Sequence, residues 1–173
     1  MRQTYVKMKE IDADINTINL KNGLYDIDND RLLNHTPAYY SINQKPILYD
    51  KDAKPKRFGS FLKEVLYPVD IRTAVDAMAY TFHRDYIVEV FYVLVGFGAN
   101  GKSVFTKVIT AMHGRSNTSN VSLKDITRNH YARSDLEHKD VNIDNEVSSE
   151  AIYDTAILKL LTDGILQPIR IES

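Results

Sequence analysis

"LVGFGANGKSVF", residues 94–105, decides the reading of this chain, because an apolar run breaks into glycines and closes on Gly-Lys-Ser. Gly96, Phe97, Gly98, Ala99, Asn100, Gly101, Lys102 and Ser103 satisfy the spacing G-x-x-x-x-G-K-[ST] at every fixed position. The spacing has a physical basis. Glycines let the backbone curl until successive N–H groups point inward, and a helix that follows adds the partial positive charge of its N-terminus. The expected ligand is a nucleoside triphosphate, its phosphates cradled by Gly96, Gly98, Ala99, Asn100, Gly101, Lys102, Ser103 and Val104. Lys102 is expected on the β- and γ-phosphates and the Ser103 hydroxyl on Mg2+. Taken alone, the eight residues could also be a glycine-rich surface turn with an incidental lysine.

The flanks support the first reading. Upstream, "VEVFYVLVG" (88–96) is β-branched and aromatic with apolar residues on both faces, which predicts a buried parallel strand. Downstream, "SVFTKVITAMHG" (103–114) predicts a helix with Val104, Val108, Ile109 and Met112 on one face and a stop at Gly114. A phosphate-loop enzyme also needs a second strand that delivers a carboxylate to the metal and, for hydrolysis, an acid that activates water. "DVNIDNEV" (140–147) offers Asp144 and Glu146 at a strand end, where alternation puts both on one face. Asp144 and Glu146 are thus the candidates for these two roles, both near Mg2+. The competing reading is an ordinary acidic strand end or helix cap.

Between these segments, "SNTSNVSLKDI" reads as a polar loop with a short strand over 120–123. "SEAIYDTAILKLLTDG" predicts a helix ending near Gly164, and "LQPIRIES" one arm of a hairpin. Strand, helix, strand, helix is the grammar of a three-layer α/β fold. Before the loop, "TINLKNGLYDID" alternates around Asn22-Gly23 and predicts a hairpin turn there. "KPILYDKDAKPKRF" reads as a strand-like piece and a charged linker. From Phe58, Phe61, Leu62, Val65 and Leu66 keep helical spacing until Pro68, and Ile71, Val75, Met78 and Ala79 resume it after an Asp70 N-cap. The expected organisation is a β-rich region over 1–57, short helices over 58–87 and an α/β core over 88–173.

Composition bounds the rest. A chain of 173 residues with 43% hydrophobic and 26% charged residues suits one globular domain or a domain with an appendage. With no long apolar run and no apolar signal core near Met1, the expectation is a cytoplasmic protein without a membrane span. The absence of cysteine excludes disulfides and thiolate zinc sites, and the five histidines lack paired metal-site spacing, which predicts surface histidines. A net charge of −1 argues against a strongly basic nucleic-acid coat and leaves room for a local basic surface. Lys124, Arg128, Arg133, Lys139 and Arg170 could face nucleic acid or simply be scattered surface charge.

Together these residues resemble the superfamily 3 helicases, specifically the viral, phage and plasmid primase-helicase family that includes the poxvirus-type replication ATPase. "GFGANGKS" has the family's Asn-Gly-Lys-Ser loop. "INLKNGLYDIDNDRLLNHTPAYY" with "FGSFLKEV" resembles its amino-terminal helper region, "DVNIDNEVSS" its acidic strand and "ILKLLTDGILQPIRIES" the stretch before its third motif. The resemblance implies a P-loop NTPase core of the ASCE or AAA+-like kind, incomplete at its C-terminal end. It further implies ATP and Mg2+ as cofactors, single-stranded or forked DNA as partner and a hexameric ring of identical chains. Asn145 separates two acids that are usually adjacent in the family, which leaves the roles of Asp144 and Glu146 open. The family's polar sensor and arginine finger would fall beyond Ser173, so the resemblance reads as a truncated helicase. A nucleotide-binding remnant acting in assembly and a small-molecule P-loop kinase are the alternatives.

Overall fold

Three short strands run antiparallel in sequence order: β1 (Thr17–Leu20), β2 (Gly23–Asp26) and β3 (Arg31–Leu33). They belong to a computed structural model that describes residues 10–85, 87–96 and 100–145, with the backbone alone for Thr127 and His130. Pairing of Leu20 with Gly23 makes Lys21 and Asn22 the turn, so Gly23 opens β2 instead of sitting in the turn as expected. Close approach explains the glycine: a Cβ there would lie 2.4 Å from the Leu33 carbonyl oxygen. The Asn22 side chain continues the pairing pattern. Its Nδ2 donates to the Tyr49 carbonyl at 2.9 Å and its Oδ1 accepts the Tyr49 N–H at 3.0 Å. Lys45 N–H donates to Asn19 O at 2.8 Å, and Lys21 N–H to Ile47 O at 3.0 Å, which lays this segment along β1.

Two helices follow, as the periodicity predicts: α1 (Lys56–Val65) and α2 (Pro68–Tyr80). Pro68 takes the first helical position, where its missing N–H has no role to lose. The N-cap is therefore Tyr67, and Asp70 instead places its charge in the positive first turn. Helix α3 (Lys102–His113) ends at Gly114, whose φ of 85° lets the chain leave the helix. Its inward face is Phe105, Ile109 and His113, with Val108 and Met112 partly buried, while Val104 is exposed. Leu62, Met78, Phe105, Ile109 and Ile143 form the core, so α1, α2 and α3 share it with the chain just past β5.

The second sheet is a parallel pair, β4 (Thr118–Ser119) with β5 (Val141–Asn142), linked through α4 (Leu123–Arg128) and α5 (His130–Ser134). The strand expected over 120–123 lies two residues earlier, because Ser122 commits the chain to α4 by accepting the Asp125 N–H at 3.1 Å. The described residues are thus mixed α/β with two small sheets.

Residues 88–96 do not form the buried strand that their composition predicts. Ile87, Val88, Val90, Phe91, Tyr92, Val93, Leu94 and Val95 are all exposed, Val95 at 86%. A run with two apolar faces is stable as a strand only between neighbours and under two covering layers, and no described strand pairs with it. Its anchor is Tyr80, whose hydroxyl donates to Val88 O at 2.8 Å and accepts the Val88 N–H at 3.1 Å. The segments expected as a helix to Gly164 and a hairpin arm lie outside the described residues.

The expectation of surface histidines fails at His113, which has no exposed area. Its Nδ1–H donates to Asp140 Oδ2 at 3.1 Å, its Nε2 meets the Thr81 hydroxyl at 2.8 Å, and Phe82 stacks on the ring at 4.4 Å. The same carboxylate oxygen receives the buried Lys45 ammonium at 2.5 Å. Burial alone would raise the Asp140 carboxyl. Hydrogen bonds and charge from His113 and Lys45 outweigh it and hold the group below its ordinary value of 3.8. Asn117 closes the cluster by donating to Gln44 O at 2.9 Å and His113 O at 2.8 Å.

Removing one member of a buried pair strands the other charge, so Lys45→Met is expected to cost about 3 kcal/mol in urea unfolding. Because the folded Asp140 carboxyl titrates below its unfolded value, its contribution is complete above that value. It is lost as pH falls through the lower, folded one. The wild type should therefore lose more stability than Lys45→Met on acidification below about pH 4. Equal losses would show that the pair does not set this dependence.

Candidate functional site

The glycine loop delivers its lysine to the start of a helix. Gly101 takes the left-handed conformation, φ 83° and ψ −3°, and its carbonyl accepts the N–H groups of Val104 and Phe105, each at 3.0 Å. That sharp reversal makes Lys102 and Ser103 the first two residues of α3, where the unpaired N–H groups of a helix terminus gather. Lys102 Nζ folds back over the loop, donating to Gly96 O at 2.6 Å and Asn100 Oδ1 at 2.9 Å. A Cβ on Gly96 would lie 1.8 Å from Asn100 Nδ2, so the absence of a side chain there leaves room for the Asn100 amide. Gly96, Asn100, Gly101 and Lys102 are brought together as expected, and Ser103 and Val104 are exposed at the helix start. Gly98 and Ala99 lie outside the described residues.

The residues present suit a phosphate group: an ammonium held by oxygen acceptors, Gly96 O and Asn100 Oδ1, that a phosphate oxygen could replace, beside a helix N-terminus.

The acids are less simple. Asp144 Oδ2 accepts the Leu123 N–H at 2.8 Å, so this carboxylate caps the start of α4. Asn142 works beside it: its Oδ1 accepts from Val121 N and from Ser119 Oγ, both at 2.9 Å, and its Nδ2 donates to Val121 O at 2.9 Å. Alternating polar side chains at the end of β5 and just past it, Asn142 and Asp144, therefore pin the β4–α4 connection. Glu146 lies outside the described residues. Two of the basic residues considered for nucleic acid are held by backbone carbonyls, Arg133 Nε by Ile126 O at 2.7 Å and Lys139 Nζ by Ser116 O at 2.6 Å. Lys124 and Arg128 are exposed on α4, and Arg170 lies outside the described residues. Among the described residues no helix is long and apolar enough to cross a membrane.

Contacts at Gly101 were not legible in the sequence. A Cβ there would lie 3.0 Å from Phe61 Cε2 and Cζ and 3.0 Å from Val65 Cγ1. Phe61 and Val65 are spaced i, i+4 on α1, a pattern that signals core packing and nothing more specific.

The cap at Asp144 is testable apart from any metal. Asp144→Asn keeps an acceptor for Leu123 N–H and should leave stability nearly unchanged, whereas Asp144→Ala should cost about 1 kcal/mol in urea. Equal stabilities for the two variants would remove the capping role.

Residues 2–67 match the family described as D5 N terminal like, and residues 94–173 match a family of unknown function, DUF5906. No curated protein matches the chain. The first match supports the amino-terminal part of the resemblance at its coarser level. It is to an N-terminal domain of D5-like primase-helicase replication proteins, of the phage and viral kind. The second segment holds the glycine loop, α3 and Asp144. By its first segment, then, the chain is similar to replication proteins of the D5 kind.

Proposed function

We propose that this chain is an ATP-binding DNA helicase domain of the superfamily 3, primase-helicase type, serving replication of a virus, phage or plasmid. The observation that carries the proposal is Gly101 in the left-handed conformation immediately before Lys102 and Ser103 at the start of α3. A D5-type amino-terminal match on the same chain supplies the replication context. The partners it implies are single-stranded or forked DNA and further copies of the chain in a ring. The three-layer P-loop core belongs to this reading too, with residues 88–96 as its loop-bearing strand.

The residues divide the work by position. Backbone N–H groups at the α3 terminus orient the triphosphate, and the Lys102 ammonium exchanges Gly96 O and Asn100 Oδ1 for β- and γ-phosphate oxygens. Ser103 and Asp144 would hold Mg2+, which would supply positive charge against the phosphate oxygens. Glu146 orients and deprotonates the attacking water. Asp144 already holds the Leu123 N–H, which favours a second reading, a chain that binds nucleotide without hydrolysing it.

The test is ATP binding and Mg2+-dependent hydrolysis, with and without single-stranded DNA. Lys102→Ala should weaken ATP binding at least about tenfold, since a charge-assisted hydrogen bond contributes roughly 1.5–3 kcal/mol. Unchanged affinity would sink the nucleotide-binding proposal. Glu146→Gln should retain binding and lose turnover, and equal turnover would move the catalytic role elsewhere. Binding by the wild type without turnover selects the second reading.

A further inference from the structure

We propose that helix α1 is the positioning element of the phosphate loop: Phe61 and Val65 close the space beside Gly101, so that nucleotide occupancy and the amino-terminal region sense each other. The inference rests on the nucleotide-binding reading above and adds a regulatory contact to that site.

Gly101 is held from two sides. Its carbonyl is fixed by the N–H groups of Val104 and Phe105, each at 3.0 Å, within the first turn of α3. The position its side chain would take is closed by Phe61 Cε2 and Cζ and by Val65 Cγ1, all 3.0 Å away. A glycine with a φ of 83° is free to change conformation unless something packs over it, and here α1 does. With Gly101 held, Lys102 and Ser103 keep their places at the helix start, and Lys102 Nζ reaches Gly96 O and Asn100 Oδ1 from there.

The contact also joins the two matched segments. Phe61 and Val65 fall within residues 2–67, and Gly101 within residues 94–173. Phe61 stacks on Phe58 with ring centroids 5.9 Å apart, and both pack against the core built on Leu62, Phe105 and Ile109. A displacement of α1 is therefore transmitted to Gly101 by contact. Coupling of two sites is reciprocal: whatever α1 contributes to nucleotide affinity, nucleotide binding returns as stabilisation of α1.

The experiment uses the full chain with MgATP as probe, combining binding measurements with hydrogen exchange of the amides in α1. The expected result has three parts. MgATP slows exchange over residues 58–66 of the wild type. Phe61→Ala weakens MgATP binding by about fivefold or more and abolishes that protection, and Phe61→Leu restores affinity to within about twofold. A purely structural role would lower the melting temperature of Phe61→Ala and leave its affinity, measured well below melting, unchanged. Should Phe61→Ala fail to fold, Val65→Ala trims the same contact by two methyl groups and is expected to weaken binding by about twofold or more. Wild-type binding with unchanged affinity in folded Phe61→Ala and Val65→Ala overturns this proposal and leaves the nucleotide site standing. Failure of the wild type to bind MgATP overturns the nucleotide reading, and this proposal with it.

Discussion

The buried carboxylate of Asp140 is the constraint around which the described residues are arranged. It draws Lys45 from the segment beside the meander and His113 from the end of α3, and its own N–H donates to Asn117 O at 2.8 Å just before β4. Burying three ionisable groups is costly unless each finds its partners, and these do: Lys45 Nζ also donates to Asn43 O at 3.0 Å, and Thr81 meets the far nitrogen of His113 at 2.8 Å. These hydrogen bonds are directional and join the segment beside the first sheet, the end of α2, the end of α3 and the residue before β5, while the five buried apolar side chains of the core fill the space among the helices.

Helix α3 carries that constraint toward the phosphate loop. Its 12 residues span about 18 Å, with His113 locked at the C-terminal end and Gly101 under α1 at the other. Residues N-terminal to the loop act at both ends: Thr81 and Phe82 meet His113 at one, and Phe61 and Val65 close the space beside Gly101 at the other. The middle of the helix adds Phe105 and Ile109 against Leu62 and Met78. Lys102 and Ser103, the first two residues of α3, thus stand on a rod fixed at both ends, the placement that the proposed contact with phosphate would require.

What was legible in the sequence was what is encoded within one or two turns of chain. The spacing of Phe61, Leu62 and Val65 marks α1, Pro68 divides it from α2, and Gly114 ends α3. The turn of the glycine loop into α3 could be read because Gly101 permits the left-handed conformation that precedes Lys102. Tertiary pairings were not legible. Lys45 and Asp140 are 95 residues apart, and neither breaks the local pattern in which it sits. His113 looked like a polar end to an amphipathic helix, although it is the most buried residue on the inward face. Asp144 was ambiguous for the same reason: a carboxylate after a strand can meet a metal or an N–H, and the Leu123 N–H that it meets comes from across the parallel pair.

The segment over residues 88–96 shows how propensity and burial separate. Valine, phenylalanine and tyrosine favour a pleated, covered surface, but the preference measures fit to neighbours that must exist for the strand to form. Among the described residues β5 has β4 on one side, with a ladder of two residue pairs, and 88–96 pairs with neither. Its Val88 end is held by the Tyr80 hydroxyl and its Gly96 end by Lys102 Nζ. The run is thus tethered at both ends to groups that belong to the helices, and its exposed apolar side chains lie between. In the reading with a complete P-loop core, the same two tethers would deliver the strand directly to the loop. The Gly96 tether is also the bond that Lys102 would give up on meeting phosphate. Nucleotide binding and the ordering of this strand would then draw on a single hydrogen bond donor.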